Sequence, residues 1–333
     1  MKNVVLILFG AILSFTINSC EKNDLQEPGN LVPKTADEDP GIPSINVNGA
    51  ILHSEAYGHP DSTLIVCIHG GPGSDYRYML NCKDLANYGY RVVFYDQRGS
   101  GLSQRFDAGT YTSLGLGALD MVYDELSGVI AHYRTHPDQK VFLLGHSWGA
   151  MLATAYAGRY PDAIQGLAIQ EPGGLKWEDV MEYMKNSRDF SIWGEFANNA
   201  TYLDQFITGK ESDHEILDYK FAMLAGTKNE NTDTDVISFW RLGAVINSEL
   251  SETGMKYKPD FSEGISNFQI PVLFFYSELN KAYPDDWAMK ISAVYNQVEI
   301  CKVPGTGHDG IVWDKKAWEE TTLPRLLTYF NSL

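Results

Sequence analysis

Val141-Phe142-Leu143-Leu144-Gly145-His146-Ser147-Trp148-Gly149 runs from four consecutive apolar residues into a serine held between two glycines. A short apolar run ending at a glycine reads as a strand buried on both faces. The residues that follow, Ala150-Met151-Leu152-Ala153, open a helix. A serine at the apex of so sharp a strand–turn–helix connection is forced into a strained conformation, and only small flanking residues let strand and helix approach. The helix points the positive end of its dipole at the serine and favours negative charge there. Ser147 is therefore a candidate nucleophile, carried by an element that belongs in a parallel sheet.

On either side of this stretch, short apolar runs alternate with amphipathic segments. That is the pattern of an α/β protein with a mostly parallel sheet covered on both faces. Strands are expected at 52–57, 63–68, 90–95, 141–144, 166–169, 270–276 and 298–303. Between the third and fourth of these, Leu119, Val122, Leu126, Val129, Ile130 and Tyr133 recur at helical spacing. A last helix is expected near 318–330. From 172 to 264 the alternation breaks, and Trp, Tyr, Phe and Met are scattered among charged residues. This segment is expected to be a largely helical cap inserted into a core made of 44–171 and 265–333.

The expected strand 63–68 leads into His69-Gly70-Gly71-Pro72-Gly73. Acyl transfer needs two donors aimed at the developing oxyanion. One is the amide after the nucleophile, on Trp148; the glycine-rich loop supplies the other, and Gly71 is the candidate because it brings backbone close without a side chain. Asp96-Gln97-Arg98-Gly99-Ser100-Gly101-Leu102-Ser103 follows the next strand, and Asp96 and Arg98 are expected to brace that loop with charged hydrogen bonds. Near the C-terminus, Pro304-Gly305-Thr306-Gly307-His308-Asp309-Gly310 follows the last expected strand. His308 is the one of the eight histidines in the position of a general base; His69 and His146 flank other motifs. Serine at position 147, where a dehalogenase or epoxide hydrolase would carry aspartate, argues against both of those chemistries.

His69 to Gly73, Asp96 to Ser103 and Gly145 to Gly149 with tryptophan after the serine together resemble the proline iminopeptidase branch of the α/β-hydrolases. The resemblance extends from about Ile45 to Leu333. It implies an α/β-hydrolase fold with a helical cap, and removal of an N-terminal residue, often proline, from short peptides. It also implies that acidic cap residues grip the free amino group. Amidases, esterases and lactonases share these motifs.

The chain departs from that family at the third member of the triad. The family places an aspartate just past the strand 270–276, and here the stretch reads Tyr276-Ser277-Glu278-Leu279-Asn280, with Asn280 at that position. An amide can orient the imidazole but cannot stabilise an imidazolium, an exchange that costs a serine protease about 10⁴-fold in rate. Glu171 ends the strand 166–169 beside the nucleophile strand, where catalytic groups gather. The segment 165–171 also resembles haloalkane dehalogenases that keep their acid there. Three assignments stand open: Glu171 orients His308; Glu278 does so while Glu171 anchors a substrate amine; or Asn280 acts alone.

The preferred function is an aminopeptidase or amidase working through an acyl-enzyme. Glu178, Asp179, Glu182 and Glu195 are possible amine anchors among Trp177, Trp193, Phe196 and Trp240, with Glu195 and Trp193 the substrate-binding candidates. Alternatives are a carboxylesterase or lactonase, and an inactive ligand-binding protein. Nothing in the sequence calls for a cofactor or a metal, and Cys67, Cys82 and Cys301 have no ligand spacing. A net charge of −17 over 333 residues repels nucleic acid, leaving a small molecule or short peptide as the expected partner.

At the N-terminus, Lys2 precedes an apolar run from Val4 to Phe15 that is too short to span a bilayer comfortably. It ends in Ile17-Asn18-Ser19-Cys20, which resembles a bacterial lipoprotein cleavage site. Residues 1–19 are thus expected to be a signal peptide and Cys20 a lipidated residue. The chain would then be exported and anchored to the cell envelope by lipid alone. Residues 20–43 are polar and Pro-rich and are expected to be a flexible tether.

Overall fold

The computed structural model describes residues 29–187, 214–225, 229–233 and 237–333. The expected signal peptide and Cys20 lie outside these residues. Among those described, no helix is long and apolar enough to cross a membrane.

Eight strands form a single sheet: β1 (Ser44–Val47), β2 (Ala50–Tyr57), β3 (Leu64–Ile68), β4 (Arg91–Tyr95), β5 (Val141–His146), β6 (Gly166–Gln170), β7 (Val272–Ser277) and β8 (Val298–Val303). Their spatial order is β1-β2-β4-β3-β5-β6-β7-β8. β1 pairs antiparallel with β2 and β2 antiparallel with β4. Every pair from β4 to β8 is parallel. The seven expected strands are all present. β1 is an additional edge strand, short and exposed at alternate residues, which is too little pattern to read from sequence.

The inner parallel strands β3, β5, β6 and β7 are buried along their whole length because both faces are covered, whereas the edge strand β8 exposes Glu299 and Lys302. Along β3, Leu64, Val66 and Ile68 enter one core and Ile65 and Cys67 the other. Helix α1 (Gly117–Tyr133) and helix α2 (Trp148–Arg159) join the first core. The C-terminal helix, Leu323–Asn331, closes the second with Leu326, Tyr329 and Phe330.

Between β6 and β7 the described residues supply no strand to the sheet. They form α3 (Trp177–Ser187), α4 (His214–Ala225) and α5 (Ala244–Tyr257). α4 is fastened by Asp218, fully buried, whose carboxylate takes the Nε–H of Arg105 at 2.8 Å and of Arg241 at 2.7 Å.

The expected tether needs correction in its later part. Val32, Thr35 and Ala36 are buried, the Ala36 amide donates to the Leu102 carbonyl, and Arg241 donates to the Pro33 carbonyl. The segment 29–43 holds few apolar residues, yet buried polar partners on the body tie it down. Cys67, Cys82 and Cys301 are free thiols buried in the core.

Candidate active site

Ser147 stands between β5 and α2 at φ 54°, ψ −120°, the strained turn that the glycines permit. A Cβ on Gly149 would lie 2.0 Å from the Ile68 carbonyl oxygen, and one on Gly145 would lie 2.4 Å from the carbonyl oxygen of Gly149. No side chain fits either position, so β3, β5 and α2 meet only because both are glycine. The Ser147 amide donates to Gln170 O at 2.9 Å, joining the turn to the end of β6. Trp148 carries the first amide of α2, which no carbonyl of the helix can accept. Its indole donates to Gln97 at 3.0 Å and is buried.

Gly71 lines the site beside Ser147, in a loop braced from three directions. The Tyr78 hydroxyl accepts the Gly70 amide at 2.7 Å. Asn247 of α5 donates to the Pro72 carbonyl at 2.6 Å. Asp75 accepts the amides of Arg77, Trp240 and Arg241. Tyr78 and Asn247 escaped sequence reading because their role depends on contacts across 8 and 175 residues, with no local motif.

The Asp96 loop forms the brace expected of it. Asp96 is fully buried, accepts the amides of Tyr76 and Leu102, and lies 2.7 Å from His53 Nδ1. Arg98 donates through Nε to buried Glu125 at 2.7 Å.

Glu171 Oε2 lies 2.6 Å from His308 Nδ1. The carboxylate is fully buried, and its residue has φ 43°, a second non-glycine residue in the left-handed region beside Ser147. Oε1 accepts the Ser277 amide and hydroxyl, each at 2.6 Å, and Oε2 accepts the Asn280 side-chain amide at 2.9 Å. Burial pushes the Glu171 carboxyl up, but the hydrogen bond and charge of His308 and the Ser277 donors outweigh it and hold it below its ordinary value. For His308, burial pushes down, while the bond and charge of Glu171 and the charge of Asp309 lift it above its usual value. Asn280 therefore serves as a donor to the carboxylate rather than as its substitute. Glu278 is exposed and accepts the Gly305 amide at 2.8 Å, so it does not face His308 and that alternative is corrected.

His146 is neutral: burial and the charge of His308 push it well below its usual value. Because the Tyr78 hydroxyl accepts from Gly70, its proton goes to His146 Nδ1 at 2.9 Å. His146 Nε2–H then donates to the His308 carbonyl at 3.0 Å. His146, His308 and Asp309 bring ligand-type atoms within 4.8 Å of one another. With both ring nitrogens of His146 already bonded, that cluster is a hydrogen-bonding support and not an open set of metal ligands.

Two cavities meet at Ser147. One, of about 230 Å³, is lined by His308, Asp309, Tyr78, Phe221 and Phe239 among others; the second, of about 470 Å³, runs under α3 and α5 past Trp148 and Trp177. Gly71, Pro72, Ser147 and Asn247 border both. Of the suggested amine anchors, Glu178 is exposed, and Asp179 and Glu182 pair with Lys290 at the surface, at 2.8 and 3.4 Å. None of the three lines either cavity. Trp240 packs against Tyr76 and His53 instead. Glu195, Trp193 and Phe196 lie outside the described residues.

A doubly covered parallel sheet with a serine at the β5–α2 turn defines the class. The chain belongs to the alpha/beta hydrolase fold family, whose model matches residues 63–315. It is similar to a proline iminopeptidase of Saccharolobus solfataricus, 39% identical over 107 residues that make up 32% of each chain. It is also similar to epoxide hydrolase B of Mycobacterium tuberculosis, 33% identical over 37% of this chain and 33% of that one. The chain thus matches about a third of the length of these relatives. Among solved structures, VinJ superposes with a TM-score of 0.59 at 16% identity, over 86% of this chain and 98% of the other, a likeness of fold.

Proposed function

We propose that the protein is a serine hydrolase that cleaves an amide or peptide bond at the N-terminal residue of short peptides through an acyl-enzyme. The observation that carries the reading is the buried Glu171 carboxylate, 2.6 Å from His308 Nδ1 in the site that holds Ser147. His308, oriented by Glu171, takes the Ser147 proton as the serine attacks the carbonyl, then returns it to the leaving group. The amides of Gly71 and Trp148 bind the oxyanion. Water on the same base completes the cycle. The likeness to proline iminopeptidases supports the peptide substrate.

A second reading, a carboxylesterase or lactonase on neutral esters, is favoured by the larger cavity. Among its described lining residues the single carboxylate is Glu252, which is exposed. Aminoacyl-aminomethylcoumarins of proline, alanine and phenylalanine, each paired with its N-acetyl form and with p-nitrophenyl acetate, separate the two. Turnover of the free amines alone establishes the aminopeptidase; turnover of the ester alone establishes the esterase. Ser147→Ala is the blank, and activity surviving in it removes both readings.

A further inference from the structure

The two cavities that meet at Ser147 differ in what lines them. In the tetrahedral intermediate on Ser147, the leaving group must lie within hydrogen-bond reach of the imidazole that protonates it. His308 and Asp309 line the smaller cavity and not the larger. With the oxyanion held between the Gly71 and Trp148 amides as proposed above, and the leaving group on the His308 side, the open space left for the remaining substituent, the acyl portion, is the larger cavity. The apolar part of its described wall is Trp148, Met151, Trp177, Val180, Leu250 and Phe261, and α5 adds the polar Ser248, Ser251 and exposed Glu252. At about 470 Å³ it falls among ordinary small-molecule sites and has room for far more than a small ring or a methyl group.

We infer that the cavity beneath α3 and α5 is an acyl-binding site that selects bulky apolar acyl groups, a medium aliphatic chain or an aromatic side chain, with the leaving group housed on the His308 side. Three methionines, Met151, Met184 and Met255, border the cavity, and their unbranched side chains adapt to acyl groups of different outline. On aminoacyl substrates the same site ranks phenylalanine and leucine above alanine and proline. The assignment rests on the acyl-enzyme reading of Ser147 and names the substrate class for it.

The test is a series of p-nitrophenyl esters from acetyl to octanoyl, kept below their micelle concentrations, on the full chain. Each buried methylene is expected to raise kcat/KM about fourfold until the cavity is full, so octanoyl should exceed acetyl by a hundredfold or more. Ser251 on α5 and Met184 on α3 line the cavity and are half-buried. Ser251→Phe, or Met184→Phe if the first does not fold, should cut the octanoyl-to-acetyl ratio at least tenfold. The dependence on leaving group, measured with alkyl and aryl octanoates, should move less than twofold. A flat chain-length profile on a protein whose Ser147 still reacts with a fluorophosphonate overturns the acyl assignment and leaves the hydrolase reading intact. So does an unchanged ratio in both folded variants. Absence of fluorophosphonate labelling overturns the hydrolase reading, and the acyl assignment falls with it.

Discussion

Asn280 stands where the family pattern has aspartate, and Glu171 supplies a carboxylate to His308 from the neighbouring strand end. His308 must be neutral to accept the serine proton, and Glu171 lifts its pKa above the ordinary value. The acid limb of kcat/KM therefore has its midpoint above about 6.5. In Glu171→Gln the larger of the lifting charges is gone, that of Asp309 stays and burial remains, so the midpoint should move down. The plateau should fall by about 10³–10⁴-fold. An unmoved limb would remove Glu171 from that role. Asn280→Asp tests the same contact from the other side. Its carboxylate would meet Glu171 Oε2 where the amide now donates at 2.9 Å, and two carboxylates so close share a proton. The folded-state pKa of that pair is raised, so its contribution to stability is fully present below about pH 4 and is lost as pH rises through the folded value. The melting temperature of this variant, compared with the parent, should fall progressively as pH rises above about 4. A constant difference would show that the two groups do not interact.

At the level of elements, the parts carried by local pattern were legible in the sequence. The β5–α2 turn announces itself because steric exclusion at Gly145 and Gly149 leaves few residue choices, and the inner parallel strands because burial on both faces leaves them mostly apolar. Placing Glu171 beside His308 needed only the knowledge that β6 neighbours β5. Tyr78, Asn247 and the division into two cavities were not legible, since they arise where α5 and the 77–88 segment reach over the site from distant sequence. Glu125 shows the same limit. Within α1 it looks like one more acidic residue beside Asp120 and Asp124, yet it is fully buried as the partner of Arg98. Removing one partner of a buried pair leaves an uncompensated charge, at a cost of about 3–5 kcal/mol. Glu125→Gln should lower the melting temperature by roughly 5 °C or more. A loss of only a degree or two would mean that Arg98 finds water or another acceptor.

At the scale of the whole molecule, the N-terminal segment ties three regions together. The amides of Gly29 and Leu31 donate to Glu215 on α4, the Pro33 carbonyl and Glu38 receive Arg241, and Ala36 is bonded to Leu102 in the Asp96 loop. Composition concealed this, because a segment rich in Pro, Asp and Glu reads as a tether when partners such as Glu215 and Arg241 lie about 180–210 residues away. Arg241 also shares Asp218 with Arg105, and its backbone amide is held by Asp75, close to Phe239 and Leu242 on the cavity wall. A chain beginning at Ser44 loses the buried Val32 and Ala36 and several polar contacts, together about 3 kcal/mol. It should melt below a chain beginning at Gly29. Because the segment reaches the leaving-group side of the site through Arg241 and touches neither Ser147 nor His308, KM for substrates with large leaving groups should rise more than kcat falls. Equal melting temperatures and equal KM values for the two chains would reduce the segment to passive packing. A matched loss of kcat on every substrate would place its influence on the catalytic groups themselves.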